Sequence, residues 1–170
     1  MPRNLRSCHR MMNVSAALLS WALIFAAGTA QSFQLKDTAG QQQRLADFKG
    51  KWVVVNFWAT WCAPCVKEIP DLAAFAISQG DKVRLLGIAL DWDETGKAET
   101  DERKVKAFAK KIGHSYPLIL GTEMSEKAFG KMQGLPTTIM YDPDGKIVYQ
   151  KTGVVTSELL IRVMSGEMKK

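Results

Sequence analysis

An α/β fold, with a mixed central sheet flanked by helices, is what this sequence predicts. Three observations carry that reading. Two almost continuously apolar runs, Trp52–Trp58 and Val83–Leu90, are what strands buried on both faces require. Segments with apolar residues at helical spacing follow them. Near the C-terminus, Asp142-Pro143-Asp144-Gly145 separates two further strand-like runs and marks a hairpin, so strands of both directions meet in one sheet.

Along the chain, Gln34-Leu35 and Arg44-Leu45 bracket Asp37-Thr38-Ala39-Gly40, a turn between short edge strands. Asp47-Phe48-Lys49-Gly50-Lys51 turns the chain into the first buried strand. The first helix starts near Cys62–Pro64, since proline suits a first turn, and Ile69, Leu72, Ala73 and Ala76 repeat along it. Pro70 lies inside this helix and should kink it. After the second buried strand comes a polar loop over 91–101. A helix over Glu102–Ile112 puts Val105, Phe108, Ala109 and Ile112 on one face and leaves Lys104, Lys106, Lys110 and Lys111 solvated. Tyr116–Leu120 reads as a short extended segment, and 123–132 as a helix closed by Gly134. Thr137–Tyr141 and Lys146–Thr152 flank the hairpin turn, and Ser157–Met168 is a last helix with Leu159, Leu160 and Val163 inward.

The 170-residue chain divides into a targeting segment, residues 1–30, and one domain, residues 31–170. Arg3, Arg6 and Arg10 form a basic start, Val14–Ala27 is apolar apart from Ser15 and Ser20, and Gly28-Thr29-Ala30 offers small residues for a cut before Gln31. The apolar stretch suits a signal peptide and is short of the roughly 20 residues a membrane span needs. It serves as an uncleaved anchor only if flanking residues join it. Cys8 precedes the apolar run and so is not placed as a lipoprotein cysteine. The net charge of +6 falls to +3 from residue 31 onward, with the charges interspersed, which excludes a nucleic-acid footprint.

The domain then holds two cysteines, in Trp61-Cys62-Ala63-Pro64-Cys65, in an export context where disulfides persist. A staple gains most by closing a long loop, and this pair closes a short one, so the spacing points to redox chemistry. The first thiol sits at a helix N-terminus, where free N–H groups and the helix dipole favour the reactive thiolate. The second lies one turn in, close enough to close a ring.

Asn56-Phe57-Trp58-Ala59-Thr60-Trp61-Cys62-Ala63-Pro64-Cys65, then Glu68-Ile69-Pro70, and later Gly134-Leu135-Pro136-Thr137-Thr138, resemble the TlpA/ResA-like branch of the thioredoxin superfamily. The likeness covers Ser32–Met168. It implies a thioredoxin-like fold with that branch's central insertion over 91–116, and an exported bacterial thiol–disulfide oxidoreductase, soluble or membrane-tethered. Asn56 stands where thioredoxins usually carry a buried Asp, and Glu68 sits three residues after the second cysteine as in the exported reductases. The approach Phe129–Gln133 departs from the branch, where relatives commonly have a Tyr and a Val.

Within this frame Cys62 is the nucleophile, exposed and first in the helix, and Cys65 the more buried resolving thiol. Ala63-Pro64 supplies no basic group to stabilise a Cys62 thiolate further, which favours a reducing couple. Glu68 shares a helix face with Cys65 and, if partly buried, can take its proton. The resemblance makes Leu135-Pro136 a cis peptide facing the cysteines, with its backbone offered to substrate. Trp61 flanks the disulfide as part of the docking patch, Phe57 and Trp58 belong to the core, and Asn56 is a buried hydrogen-bonding residue. His114 reads as a surface or helix-end histidine, and Asp91, Trp92, Asp93 and Glu94 as a solvated loop without metal-loop spacing.

No cofactor is expected beyond the Cys62–Cys65 disulfide, since a zinc site would need ligands the domain lacks beyond His114 and carboxylates. The partners implied are disulfide-bearing exported proteins, apocytochrome c among them, and a membrane thiol electron donor. Neither nucleic acid nor an oligomer is expected, and the location is periplasmic. Two alternatives use the same fold. A thiol peroxidase places Thr or Ser three residues before its cysteine and Pro seven before; Ala59 and Val55 stand there. A copper chaperone uses a longer cysteine spacing and a distant His.

Overall fold

The computed structural model describes residues 32–91, 102–130 and 132–168. The expected targeting segment over residues 1–30, Trp92, Asp93, Glu94 and the rest of the expected polar loop to Asp101 lie outside the described residues. Strands β1 (Gln34–Lys36) and β2 (Gln42–Arg44) pair antiparallel, and the Asp37 carboxylate closes their turn by accepting from the backbone N–H of Ala39 and Gln41 at 3.0 and 2.8 Å. They were expected as edge strands. They pair only with each other and form a separate two-stranded sheet.

That main sheet has five strands: β3 (Trp52–Trp58), β4 (Val83–Ala89), β5 (Leu118–Leu120), β6 (Thr137–Tyr141) and β7 (Ile147–Thr152), in the order β5-β4-β3-β6-β7. β3, β4 and β5 run parallel, and β6 and β7 join antiparallel through the Asp142–Gly145 turn. β3 lies at the centre because its side chains can be buried on both faces. Val54 and Trp58 enter one apolar cluster; Val53, Val55 and Phe57 enter the other.

The first cluster packs α1 (Ala63–Gln79), α2 (Glu102–Lys111) and α4 (Ser157–Met164) against the sheet through Ile69, Leu72, Phe75, Val105, Ala109, Leu160 and Val163. The second places the small hairpin and α3 (Glu123–Phe129) on the opposite face, where Phe33, Phe57 and Phe129 meet at ring distances of 5.2 Å. Helices therefore cover both faces. Each fully buried aliphatic or aromatic side chain contributes about 1.5–3 kcal/mol relative to exposure, so α1, with Ile69 and Leu72 wholly buried, is held firmly.

α1 continues through Pro70, which lacks the N–H that the Val66 carbonyl would otherwise accept. α3 stops at Phe129 and not at Met132, because Gly130 takes a left-handed φ of 81° and ends the helix. α4 stops at Met164, four residues early, where Ser165 caps it and Gly166 turns the chain at φ 80°. Its start is fixed twice: Thr156 accepts from Leu159 N–H, and Asp71 of α1 accepts from the Ser157 N–H and hydroxyl at 2.8 and 2.9 Å. Among the described residues no helix is long and apolar enough to cross a membrane.

Candidate active site

β3 ends at Trp58, and the chain turns through Ala59–Trp61 into α1. The Asp91 carboxylate, just beyond β4, clamps this turn by accepting from the Thr60 N–H at 3.1 Å and from the Thr60 hydroxyl. Cys62 is the N-cap of α1, in extended backbone conformation, and Pro64 follows in the first turn. Cys62 and Cys65 form a disulfide with an S–S distance of 2.02 Å, and the Cys62 Sγ also accepts from the Cys65 N–H at 3.4 Å. A sulfur at the N-cap thus takes the place of the usual capping oxygen, among free N–H groups that stabilise negative charge on it.

Cys65 is wholly buried. Cys62, expected to be exposed, is 5% exposed. Its sulfur turns inward to bond Cys65, leaving only a small part of the residue at the surface. It remains the more accessible of the pair. Trp61, by contrast, stands 67% exposed beside it.

Glu68 lies one turn beyond Cys65 on the same helix face and is 3% exposed. Two donors hold it. Asn56 Nδ2 of β3 donates to Oε1 at 2.8 Å, and the Val155 N–H, in the loop between β7 and α4, donates to Oε2 at 2.9 Å. Asn56 Nδ2 also reaches Thr138 Oγ1 of β6 at 3.1 Å. Burial pushes the Glu68 pKa above the ordinary carboxylate value, against the opposing pull of the Val155 and Asn56 hydrogen bonds and the charge of Lys151. Desolvation wins because both donors are neutral and Lys151 acts from a distance.

The Leu135–Pro136 peptide is cis, as expected. The Pro136 carbonyl accepts from the Gly153 N–H at 2.8 Å, and Thr137 Oγ1 donates to the Gly134 carbonyl at 2.7 Å, which fixes the turn. The segment Gly153–Val155 therefore grips the proline turn at one end and Glu68 at the other. Leu135 packs against the apolar cluster that contains both cysteines, and Val154 adds 43% exposed apolar surface on the same segment.

The sequence reading gave no role to Val155, Thr138 or Tyr116, and it placed Asp91 in a solvated loop, whereas the half-buried Asp91 carboxylate holds the Thr60 turn. Thr138 follows the Leu-Pro-Thr motif closely and could have been found there. The Val155 donor is a backbone group and leaves no residue-type signal. His114 follows a helix end, as expected, and is half-buried: its Nε2 is buried, its ring lies 5.4 Å from Trp58 and 3.8 Å from Tyr116, and burial lowers its pKa to about 4. Among the described residues no group of three or more His, Cys, Asp or Glu is placed to hold a metal ion.

The raised Glu68 pKa has a consequence for stability. The folded protein keeps a proton on Glu68 at pH values where the unfolded chain has released it. Its contribution is present in full below the unfolded value and is lost as pH rises through the folded one. Glu68→Gln should remove that decline and flatten urea-unfolding stability between pH 4 and 8 relative to the native chain. Equal pH slopes in the two proteins would show that Glu68 is not shifted.

Residues 27–150 match the model of the AhpC/TSA family. The thiol–disulfide oxidoreductase ResA of Bacillus subtilis (strain 168) is 34% identical over 131 residues, 77% of this chain and 69% of its own length. ResA of Bacillus thuringiensis (strain Al Hakam) is 37% identical over 143 residues, 83% and 75% of the two chains. Among solved structures, a thioredoxin-family thiol:disulfide interchange protein from Chlorobium tepidum TLS superposes with a TM-score of 0.67 at 28% identity, covering 79% of this chain and 92% of that one. StoA from Bacillus subtilis does so with a TM-score of 0.63 at 25% identity, covering 78% and 96%. With its disulfide at the head of a helix on a thioredoxin-like sheet, this chain belongs to the AhpC/TSA family and is a thiol–disulfide oxidoreductase of the ResA type.

Proposed function

We propose that this protein is an exported reductase of protein disulfides, in which Cys62 attacks, Cys65 resolves and Glu68 serves as the base for Cys65. The observation that carries the reading is the burial of Glu68 on the face of α1 that also carries Cys65, in a setting that raises its pKa towards that of a working proton acceptor.

In the reduced enzyme the Cys62 thiolate attacks a substrate disulfide. One substrate sulfur becomes bonded to Cys62 and the other leaves as a thiolate that takes a proton from water. Cys65 then gives its proton to the Glu68 carboxylate and attacks the Cys62 sulfur. The Cys62–Cys65 bond forms, the bond to substrate breaks, and the substrate departs with both of its sulfurs reduced. The enzyme has lost two electrons, which a donor dithiol restores. Trp61, Leu135 and the cis-Pro136 turn form the docking surface, with the backbone of the turn available to an extended substrate chain.

Residues 1–30 act as a signal peptide or anchor, and residues 31–170 work on the periplasmic side of the inner membrane. The substrates are disulfide-bearing exported proteins, with apocytochrome c a fitting example because its paired thiols must be reduced before haem attachment. A membrane thiol carrier supplies the electrons, the disulfide is the only redox group required, and the protein acts as a monomer. The reductive direction rests on Ala63-Pro64, which adds no positive charge to stabilise the Cys62 thiolate.

Cys65→Ser should accumulate mixed disulfides with exported proteins, seen as thiol-sensitive bands, while Cys62→Ser should accumulate none. The reverse pattern would exchange the two roles. The reduction potential of the domain in glutathione and dithiothreitol buffers should lie near or below about −220 mV; a value near about −120 mV would make the protein an oxidant.

A further inference from the structure

On the α1 side of the sheet, the layer that contains Glu68 holds more polar groups than the proposed chemistry has used. Asn56 of β3 is in register with Gly87 of β4, so both positions face α1 side by side. Gly87 has no side chain, and two rings fill the space. A Cβ there would lie 2.3 Å from His114 Nε2 and 2.9 Å from Tyr116 Cε2. The imidazole and the phenol therefore sit in the same row as Asn56, next to the residue that holds Glu68. The charge of Glu68 is felt at Tyr116, whose ionisation it opposes.

Asn56 Oδ1, His114 Nε2 and Tyr116 OH are all buried without a hydrogen-bond partner among the described residues, as is Trp58 Nε1 against the His114 ring. Leaving a buried polar atom unpaired costs about 1–3 kcal/mol. A cluster of them in one row, beside a carboxyl that gains and loses a proton, is better suited to proton movement than to stability. The row also leads outward. His114 and Tyr116 line an open cavity of about 520 Å³ between α2 and the β1–β2 turn, whose titratable groups are Asp37, Lys106 and Lys110. On the inner side, the charge of Glu68 reaches Tyr116.

We infer that His114, with Tyr116, is the proton exit of Glu68, linking the buried carboxyl to water in this cavity. The inference rests on the proposed role of Glu68 as base for Cys65. Glu68 must be free of its proton before it can accept the one on Cys65, and neither of its bonded donors, Asn56 Nδ2 and the Val155 N–H, can take a proton. Neutral imidazole can: it takes the proton at Nε2 and the resulting imidazolium loses a ring proton towards water in the cavity, returning to the neutral form. His114 is neutral at physiological pH because burial disfavours its charged form.

The test uses 5,5′-dithiobis(2-nitrobenzoate) with the reduced protein. Attack by Cys62 releases one thionitrobenzoate, and resolution by Cys65 releases a second in a separate phase. In His114→Phe the second phase should slow about tenfold or more while the first is unchanged. In His114→Ala, which opens the same space, added imidazole should restore the second phase. Wild-type second phases in both variants would overturn the exit while leaving Glu68 as base, provided Glu68→Gln is slow. Slowing of both phases, or slowing that imidazole does not rescue, would make His114 structural and overturn it as well. A wild-type rate in Glu68→Gln would remove the base and its exit together.

Discussion

The carboxyl of Glu68 is where the separate parts of this structure are joined. It is carried by α1, bonded to β3 through Asn56, and bonded to the segment after β7 through Val155. That segment also holds the Pro136 turn through Gly153. One acidic side chain therefore relates the helix bearing the disulfide, the central strand and the cis-proline turn. Hydrogen bonds to a charged group contribute about 1.5–3 kcal/mol each, yet burial of the charge costs several, and the balance leaves Glu68 with a raised pKa. A lysine or arginine bonded to the carboxylate would have reversed the balance and lowered the pKa. Asn56, neutral and with both Nδ2 hydrogens engaged, positions Glu68 without charging it.

Most of the scaffold was legible in the sequence because strands buried on both faces have a simple signature. Val53 to Trp58 and Val83 to Leu90 are apolar at nearly every position, Asn56 and Arg84 apart, and alternate apolar residues meet different clusters. The Asp142–Gly145 turn and the Val105–Ala109 face of α2 were equally plain. Helix ends were less so. α3 ends at Gly130 and α4 before Gly166, and in both the apolar pattern continues past the glycine, so periodicity alone overruns the helix.

At the site, the cysteines, Glu68, Trp61 and the cis proline stood out in the sequence because each has a residue type suited to its position. The accessibility of Cys62 could not, since it depends on where the sulfur turns when the ring closes. The second donor to Glu68 is a main-chain N–H from a residue 87 positions away, which no pattern of side chains announces. The burial of His114 Nε2 could not be read for a related reason. Its environment is made by a missing side chain, at Gly87, and a glycine within a strand says only that something approaches closely.

The account stands on Glu68 being a base with a raised pKa in the folded protein. The most direct measurement is the pH titration of its side-chain carboxyl by ¹³C NMR in the oxidised domain, with Glu68→Gln identifying the resonance. The account predicts a midpoint clearly above the ordinary carboxylate value of about 4.3. A midpoint at or below that value would mean that the hydrogen bonds from Asn56 and Val155 outweigh burial, and that Glu68 holds the fold together without serving as the proton acceptor of Cys65.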